Sequence, residues 1–353
     1  MTSFEDFSFK EAPRKVLDVT EYLDSEVLTT VVFVNGYYES GLSQLSQFSE
    51  DGGIVLPLEE AQHPFGTFLN NRWMEASEGK VDPFVVLNHA LQRCGVLLYF
   101  PPGFSCQKPI QVLHIVEDRE VMVVPRVQVC MGKGAQASLQ VVSRSDQKCF
   151  INSVFDYVLE EGSSLQIAQR PKYHPDSWVV DSTRAIVKGK SSLRMMNQSF
   201  GTTSESFDYD IRLVGEEGEA IVSGTSVLGG CCRQHTKVSI DHEAAKTRSS
   251  QCFHTVCDEE SSSEFLGKIF IRKDAQKADA QQSNKHLLLS NSARASSRPF
   301  LAIDADDVKA SHGVTVGKLD ERQLFYLQTR GIPREKAKKL LIEAFIQEGT
   351  AHE

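Results

Sequence analysis

The sequence of 353 residues lacks the short motifs by which many enzymes are identified. It has no Gly-x-x-x-x-Gly-Lys-[Ser/Thr] loop, which excludes nucleotide binding through a P-loop. It has no Gly-x-Ser-x-Gly elbow and no His-Glu-x-x-His motif, two common signatures of hydrolases. Its eight cysteines are irregularly spaced and include no Cys-x-x-Cys pair. A four-cysteine metal site and a disulfide framework are therefore not expected.

The chain also lacks an excess of positive charge and long apolar runs. Its formal net charge is −9, whereas nucleic-acid binding rests on Lys and Arg at phosphates. No apolar run approaches the roughly 20 residues that span a bilayer. The first residues, Met1 to Phe7, are acidic and lack the pattern of a signal peptide. The sequence therefore predicts a cytoplasmic globular protein that binds neither nucleic acid nor membrane.

The centre of the chain repeats with a period of 28 residues. Similar segments of a turn followed by an alternating strand begin at Gly134, Gly162, Lys190 and Gly218. A further segment begins in phase at Asp274, whereas the register at Lys246 is only weakly similar. Alternating segments bounded by turns at fixed spacing indicate a β-solenoid, in which neighbouring repeats stack to bury their apolar faces. A meander of hairpins of equal length is the alternative, and both predict an all-β core.

Helices are predicted on both sides of this core. Asp82 and Pro83 mark the start of a helix near 83–93. Asp320 is a good N-cap for a helix that ends at Gly331, and Pro333 opens a second helix. Five apolar residues of the second helix have the spacing of one helix face: Ala337, Leu340, Leu341, Ala344 and Phe345.

Three segments carry a resemblance to a known family. They are Pro83 to Asn88, Gly267 to Asn284, and Asp304 to Gly331, which contains Ser311-His312-Gly313. The chain resembles the SufB/SufD family, whose members are scaffold subunits of the Suf iron–sulfur cluster assembly system. Family members usually carry a cysteine directly before Ser-His-Gly, but this chain has Ala310 there and keeps His312. The resemblance is therefore closest to the SufD type.

The resemblance implies a fold that is mainly β, with a right-handed parallel β-helix as its core. We expect a small mixed α/β region over residues 1–94, with its helix near 83–93. The β-helix core is expected over 95–317, and a C-terminal helical domain over 318–353. In structural terms, Leu324, Phe325 and Leu327 would cap the last rung of the solenoid, because solenoids need their ends covered.

The resemblance also implies a non-catalytic scaffold that pairs with SufB and binds the SufC ATPase. The residues expected at the SufB-type interface are Ser311, His312, Gly313, Val314 and Thr315. The residues expected to dock the SufC ATPase are Leu324, Phe325, Leu327, Ala337, Leu340, Leu341, Ala344 and Phe345. No cofactor is expected to bind this chain tightly, and an iron–sulfur cluster would be present only transiently at the interface with SufB. The resemblance leaves a flavin in the complex unassigned, and a homodimer is possible when the chain is alone.

Candidate metal ligands are few. His312 is the first, since imidazole is a common ligand of iron and zinc. Cys252, His254 and Cys257 are additional candidates, although alternation in a strand puts Cys252 and His254 on one face and Cys257 on the other. Free cysteines in β cores are more often small buried apolar residues. The Gln and Asn residues before Asn284 are interpreted as a stacked side-chain ladder inside the solenoid.

Three other functions remain open from the sequence. A SufB-like subunit that carries the cluster itself would be expected to keep a cysteine near position 310. A homodimeric scaffold is the second alternative. A β-helix carbohydrate-active enzyme is the third, with Asp304 and Asp306 as paired carboxylates on one strand face. The chain has only two tryptophans with which to build a sugar-binding platform.

Overall fold

Successive strands of the chain alternate between two parallel sheets that stack as a β-solenoid of about eight turns. The computed structural model describes residues 10–15, 17–23, 27–61, 82–91, 95–106 and 108–350. Strands make up 52% of the structure and helices 15%, which confirms the predicted mainly β class. The predictions made for Met1 to Phe7 and for the end of the helix at 92–93 fall outside the described residues.

The strands are β1 Lys10–Glu11, β2 Thr29–Val34, β3 Tyr37–Tyr38, β4 Ile54–Pro57, β5 Val96–Phe100, β6 Ile110–Ile115, β7 Val121–Val123, β8 Arg126–Met131, β9 Gln136–Arg144, β10 Phe150–Leu159, β11 Ser164–Lys172, β12 Trp178–Val187, β13 Ser192–Ser199, β14 Ser204–Leu213, β15 Glu219–Leu228, β16 Arg233–His242, β17 Arg248–Cys257, β18 Ser262–Ile271, β19 Asp279–Leu288, β20 Arg294–Ile303 and β21 Lys309–Lys318. The α-helices are α1 Ser46–Glu50, α2 Pro83–Leu91, α3 Glu321–Thr329 and α4 Arg334–Thr350, and Thr20–Tyr22 forms a 3₁₀ turn.

The first sheet has the order β20-β18-β16-β14-β12-β10-β8-β5-β4, with β7 and β1 attached at β10. The second sheet has the order β21-β19-β17-β15-β13-β11-β9-β6-β2-β3. All pairs from β5 to β21 within these orders are parallel, so each turn of the solenoid adds one strand to each sheet. Strands β20 and β21 end the two sheets at the same end of the solenoid.

The sequence repeat corresponds to the turns of the solenoid, but its period changes along the chain. Register partners are 28 residues apart at Phe150 and Trp178, and 32 apart at Ser262 and Arg294. The residues at equivalent turn positions have positive φ and stand two residues before a second-sheet strand: Gly134, Gly162, Lys190, Glu217, Lys246 and Lys277. Because the turns vary in length, Gly218 lies one residue after the equivalent turn position, and Asp274 lies three residues before it. Lys246 occupies the equivalent position itself and is a full member of the repeat.

Apolar side chains from both sheets fill the interior of most of the solenoid. The alternation of buried and exposed residues along each strand puts every second side chain inside, as the period of two requires. The largest apolar cluster extends from Val31 and Phe33 on β2 to Phe253 on β17 and Phe265 on β18. Beyond these two phenylalanines the interior of the second sheet becomes polar.

The N-terminal residues add to the same sheets. Strand β2 pairs in parallel with β6, and β4 pairs antiparallel with β5. Helix α2 begins where the sequence predicted, because Phe84 donates its backbone N–H to Asp82 at 2.7 Å. Its Asn88 side chain is buried and donates to the carbonyl of Asn152 in β10 at 2.7 Å. The domain boundary at 94/95 stays a prediction, although strands on both sides of it share hydrogen bonds.

The C-terminal helices have the predicted ends. Asp320 caps α3 by accepting a hydrogen bond from the Arg322 backbone N–H at 2.8 Å. Gly331 follows α3 with φ of 82°, and its N–H donates to Gln328 while that of Ile332 donates to Leu327. This pair of bonds is the Schellman arrangement that stops a helix at a glycine.

The expectation that these helices cap the last rung is wrong. Helix α4 packs instead on the outer face of the second sheet, against β15 and β17. Leu324 is buried, but Phe325 is exposed, and so are the residues of the last rung on β21. In the described part of the chain, no helix is long and apolar enough to cross a membrane.

Candidate functional site

The end of the solenoid formed by β20 and β21 is open in the described structure. Interior positions of β21 carry Val314 and Val316, which are 38% and 44% exposed, and Ile303 at an interior position of β20 is 42% exposed. Equivalent positions one turn earlier are buried, because a further rung covers them. This end therefore combines apolar core residues with two strand edges that have no further strand beyond them among the described residues.

His312 lies in the middle of this open end. It is the register partner of Gln282 on β19, whose side chain points into the solenoid. A Cβ at Gly267, on the opposite sheet, would come within 2.3 Å of Gln282 Nε2, so Gln282 reaches across the interior. His312 therefore also occupies an interior position, and it is exposed because no rung covers it. Ser311, Gly313 and Thr315 alternate with it on the outer face and are exposed as well.

A layer of polar side chains lies directly beneath His312. Gln282, Asn284 and His286 are the interior residues of β19, and all three are buried. His286 Nε2 is 3.2 Å from the Ser263 hydroxyl of the other sheet, and burial lowers the pKa of His286 to about 4, so its imidazole is neutral. The side-chain amides of Gln282 and Asn284 find no hydrogen-bond partner among the described residues. Instead of the predicted ladder, the segment supplies one stacked amide pair, Gln282 on its register partner Gln251.

Ala310 packs beside this layer in an apolar corner. It is the register partner of Ala280 and contacts a cluster that includes Ile269, Ile271 and Ala305. It occupies an interior position two residues from His312. A cysteine at position 310 would therefore point to the same side of β21 as His312.

The other candidate ligands are not brought together. Cys252 and His254 share one face of β17, as predicted; it is the outer face, and there His254 contacts Phe345 of α4. Cys257 lies inside, in a cluster with Leu228 and Cys232, and burial raises its pKa to about 11. Within the described residues no group of three or more His, Cys, Asp or Glu side chains is placed to hold a metal. The thiol of Cys257 thus stays protonated, on the opposite face of β17 from Cys252 and His254.

The C-terminal helices divide the predicted docking residues into two sets. Leu324 and Ala337 are buried, so they do not face a partner. Leu327, Leu341 and Phe345 are partly covered, whereas Phe325, Leu340 and Ala344 are exposed. The predicted stripe is thus split, because the helix turns the side with Ala337 and Phe345 toward the protein. Phe325 is 67% exposed and Tyr326, which the sequence prediction omitted, is 58% exposed.

The acidic residues of the carbohydrate hypothesis do not form a pair on a strand. Asp304 and Asp306 lie in the turn between β20 and β21, where strand alternation does not apply. The Asp304 N–H donates to the Ile271 carbonyl at 2.8 Å, which fixes the turn to the rung below. The predicted placement on one strand face is therefore wrong.

Two carboxyl groups inside the solenoid were not predicted from the sequence. Asp181 on β12 is the register partner of the core residue Phe207, and the Ser153 hydroxyl donates to it at 3.1 Å. Burial raises the pKa of Asp181 to about 7. Glu205 on β14 accepts hydrogen bonds from Ser199 at 2.7 Å and Gln234 at 2.9 Å, and burial raises its pKa above the ordinary value. The strict alternation of β14 could have indicated Glu205.

Comparison with known families agrees with this architecture. Residues 114–345 match the family described as "SUF system FeS cluster assembly, SufBD core domain", and residues 21–112 match the SufBD protein N-terminal region. The chain belongs to the SufBD family. Its core match extends from the end of β6 through β21 and most of α4, so the open end and the C-terminal helices both lie within family sequence.

Individual relatives are distant but cover most of the chain. The SufBD family protein slr0076 of Synechocystis is 26% identical over 99% of this chain and 80% of its own length. The SufD proteins of Bacillus subtilis and Escherichia coli are 25% and 26% identical over 93% and 91% of this chain, and over 77% and 74% of their own lengths. The resemblance to the SufB/SufD family expected from the sequence is thereby confirmed, and a role in iron–sulfur cluster assembly by the Suf system follows for this SufBD protein.

Proposed function

We propose that this chain is a non-catalytic, SufD-type scaffold subunit that pairs end-on with a SufB-type subunit. The observation that carries the proposal is the open end at β20 and β21. Strand edges bind other strands through their free N–H and C=O groups. Exposed apolar residues at interior positions are stabilised when a partner buries them. Val314, Val316 and Ile303 provide such an apolar surface around His312.

In this assembly His312 would supply an imidazole at the seam between the two subunits. Its neighbours Ala310 and Gln282 offer no thiolate or charged group as a further ligand. The remaining ligands of a nascent cluster would therefore come from the partner. The iron–sulfur cluster is cargo that the seam would hold transiently, and this chain would need no tightly bound cofactor of its own. The SufB-like alternative is less favoured because Ala310 cannot ligate iron.

We further propose that a SufC-type ATPase docks on the exposed side of α3 and α4. Phe325, Tyr326 and Leu340 are large side chains that the helices leave in solvent. The likeness to SufD proteins favours a Suf complex in the cytoplasm as the setting. The open end would also join two copies of this chain, so a homodimer is the alternative state in the absence of a SufB-type subunit.

Co-purification tests both interfaces separately. The chain, a SufB-type subunit and a SufC-type ATPase are co-expressed, and the complex is recovered through a tag on this chain. Val316→Asp is expected to lose the SufB-type subunit and keep the ATPase, whereas Phe325→Glu is expected to do the reverse. Gln281→Ala, on the exposed outer face of β19, is the matched control for the first variant. Full recovery of SufB by the Val316→Asp variant would contradict end-on pairing.

A further inference from the structure

Helix α4 covers a patch of the second sheet that is mostly polar. The helix contacts β15 and β17. The outward residues of these two strands that are buried are Ser223, Thr225, Cys252, His254 and Val256. The outward residues Gly313 and Thr315, on β21 beyond the helix, are exposed. The burial of the patch therefore depends on α4, and only Val256 in it is aliphatic.

His254 makes a close contact with the last turns of α4. His254 Nδ1 donates to the carbonyl of Phe345 at 2.8 Å, and the two rings stack with centroids 4.8 Å apart. Gly349 makes this approach possible, because a Cβ at that position would lie 2.8 Å from His254 Cγ. Since Cβ, Cγ and Nδ1 of His254 all lie within 3.0 Å of that position, a larger residue at 349 forces the helix away from the sheet.

Two ion pairs between α4 and the solenoid are partly exposed to solvent. Lys285 pairs with Glu348 at 2.5 Å and Lys338 with Asp258 at 3.8 Å, and all four side chains are at least one-third exposed. Ion pairs of this kind are screened by salt and contribute little. Of the α4 residues whose side chains are described, only Ala337 and Gly349 are buried, so the helix buries no large apolar side chain completely. Its large apolar residues Leu341, Ile342, Phe345 and Ile346 are only partly covered, so each contributes less to holding the helix than a fully buried side chain would.

We propose that α4 is a releasable strap, which leaves the sheet at His254 and uncovers Cys252 and His254 together while the solenoid stays folded. Elements with few buried apolar contacts open at lower free energy than the whole protein. The polar patch beneath the helix tolerates water when it is uncovered. The proposal concerns a contact within one chain, so it goes beyond the proposed assembly and does not depend on it.

Site-resolved alkylation tests the strap. The folded full-length chain is treated with N-ethylmaleimide, and the labelling of Cys252 and Cys257 is followed by mass spectrometry after digestion. Both residues lie on β17 and are buried, at 2% and 0% exposure, but Cys257 is inside the solenoid. We expect Cys252 to react at least tenfold faster than Cys257. Gly349→Val is expected to raise the Cys252 rate at least tenfold more and to change the Cys257 rate less than twofold.

Two further variants complete the test. Ala344→Val places the same valine side chain on the exposed side of α4 and is expected to leave both rates unchanged. Glu348→Ala removes the ion pair to Lys285 without adding bulk and is expected to raise the Cys252 rate at least threefold at low salt. If Gly349→Val unfolds the chain and so raises the labelling rates of both cysteines, the Glu348→Ala variant provides the test. Equal rates for Cys252 and Cys257 in the unaltered chain would overturn the proposal, as would an unchanged Cys252 rate in both Gly349→Val and Glu348→Ala.

Discussion

His312 and Gln282 are partners in the last strand pair of the solenoid, and both occupy interior positions. The Gln282 side chain is buried because a rung lies above it, whereas His312 is exposed because none does. The last rung therefore has the residue pattern of a core and the accessibility of a surface. This combination is typical of an interface that awaits a partner.

Replacement of His312 is expected to affect function and not folding. His312→Ala removes an exposed side chain, so the free energy of unfolding should change by less than about 0.5 kcal/mol. If the imidazole serves a nascent cluster, the same variant should lower the activity of iron–sulfur enzymes in cells that depend on this Suf system. Gln281→Ala, next to Gln282 but on the outer face, should have neither effect. Normal cluster assembly with His312→Ala would exclude the proposed role.

The carboxyl of Asp181 inside the solenoid should make stability depend on pH. Its pKa is about 7 in the folded chain and near 3.8 when unfolded, so the folded state holds a proton that the unfolded state releases between these values. Stability is thus lost as the pH rises from about 4 to about 7. Asp181→Asn carries no such proton, and we expect it to be more stable than the unaltered chain by at least about 1 kcal/mol at pH 8, with little gain at pH 4.

Urea unfolding of both chains at pH 4, 6 and 8 measures this difference. Glu205 makes the same contribution to the pH dependence of stability in both chains, so the difference between the chains reports on Asp181 alone. A difference between the two chains that does not change with pH would show that Asp181 is ionised inside the fold.

The buried ion triad on the first sheet should be costly to break. Asp156 accepts hydrogen bonds from Arg126 and from Arg184, each at 2.7 Å, and the Arg126 side chain is almost completely buried. Burial alone would raise the pKa of Asp156, but the two guanidinium groups lower it below its ordinary value. Asp156→Ala leaves these charges without their partner, and we expect a loss of roughly 3–5 kcal/mol in the free energy of unfolding.

An exposed pair in the same solenoid is the control for that prediction. Lys133 and Glu161 are 3.3 Å apart and both side chains are more than half exposed. Glu161→Ala should cost less than about 1 kcal/mol by the same denaturant titration. Equal costs for the two substitutions would contradict the inferred role of burial.

The exposed side of α3 should control binding of the ATPase. Phe325→Glu puts a charge where the proposal has an apolar contact, and we expect at least a tenfold weaker affinity for a SufC-type ATPase in a titration by calorimetry. Gln323→Glu adds the same charge to an exposed position about half a turn away on the helix and should leave the affinity within twofold. Equal binding by all three chains would remove α3 from the docking surface.

The fold was largely predictable because turns and alternation are local signals. The turn residues Gly134 and Gly162 and the caps Asp320 and Gly331 stand where the sequence indicated. The packing of α4 was not predictable in the same way. A stripe of five small or apolar residues is wide, so the helix can pack on the sheet in more than one rotation about its axis. The fold buries Ala337, stacks Phe345 on His254 and leaves Leu340 in solvent.

The candidate site was predicted in position but not in environment. The sequence Ser311-His312-Gly313 indicated which segment forms the candidate site. Only the strand register shows that the imidazole faces inward above Gln282. Sequence spacing gives no information on which strand is the last rung or whether a helix covers it. The polar interior of β19 depends on that same long-range stacking.

Hydrogen–deuterium exchange tests the open end most directly. The full-length chain is compared alone and in the presence of a SufB-type subunit, with peptides that resolve β20 and β21. End-on pairing predicts that backbone amides of Arg294–Ile303 and Lys309–Lys318 exchange at least tenfold more slowly in the complex, since strand edges acquire partners there. Unchanged exchange in both strands, with protection confined to other parts of the chain, would contradict the assignment of this end as the partner interface.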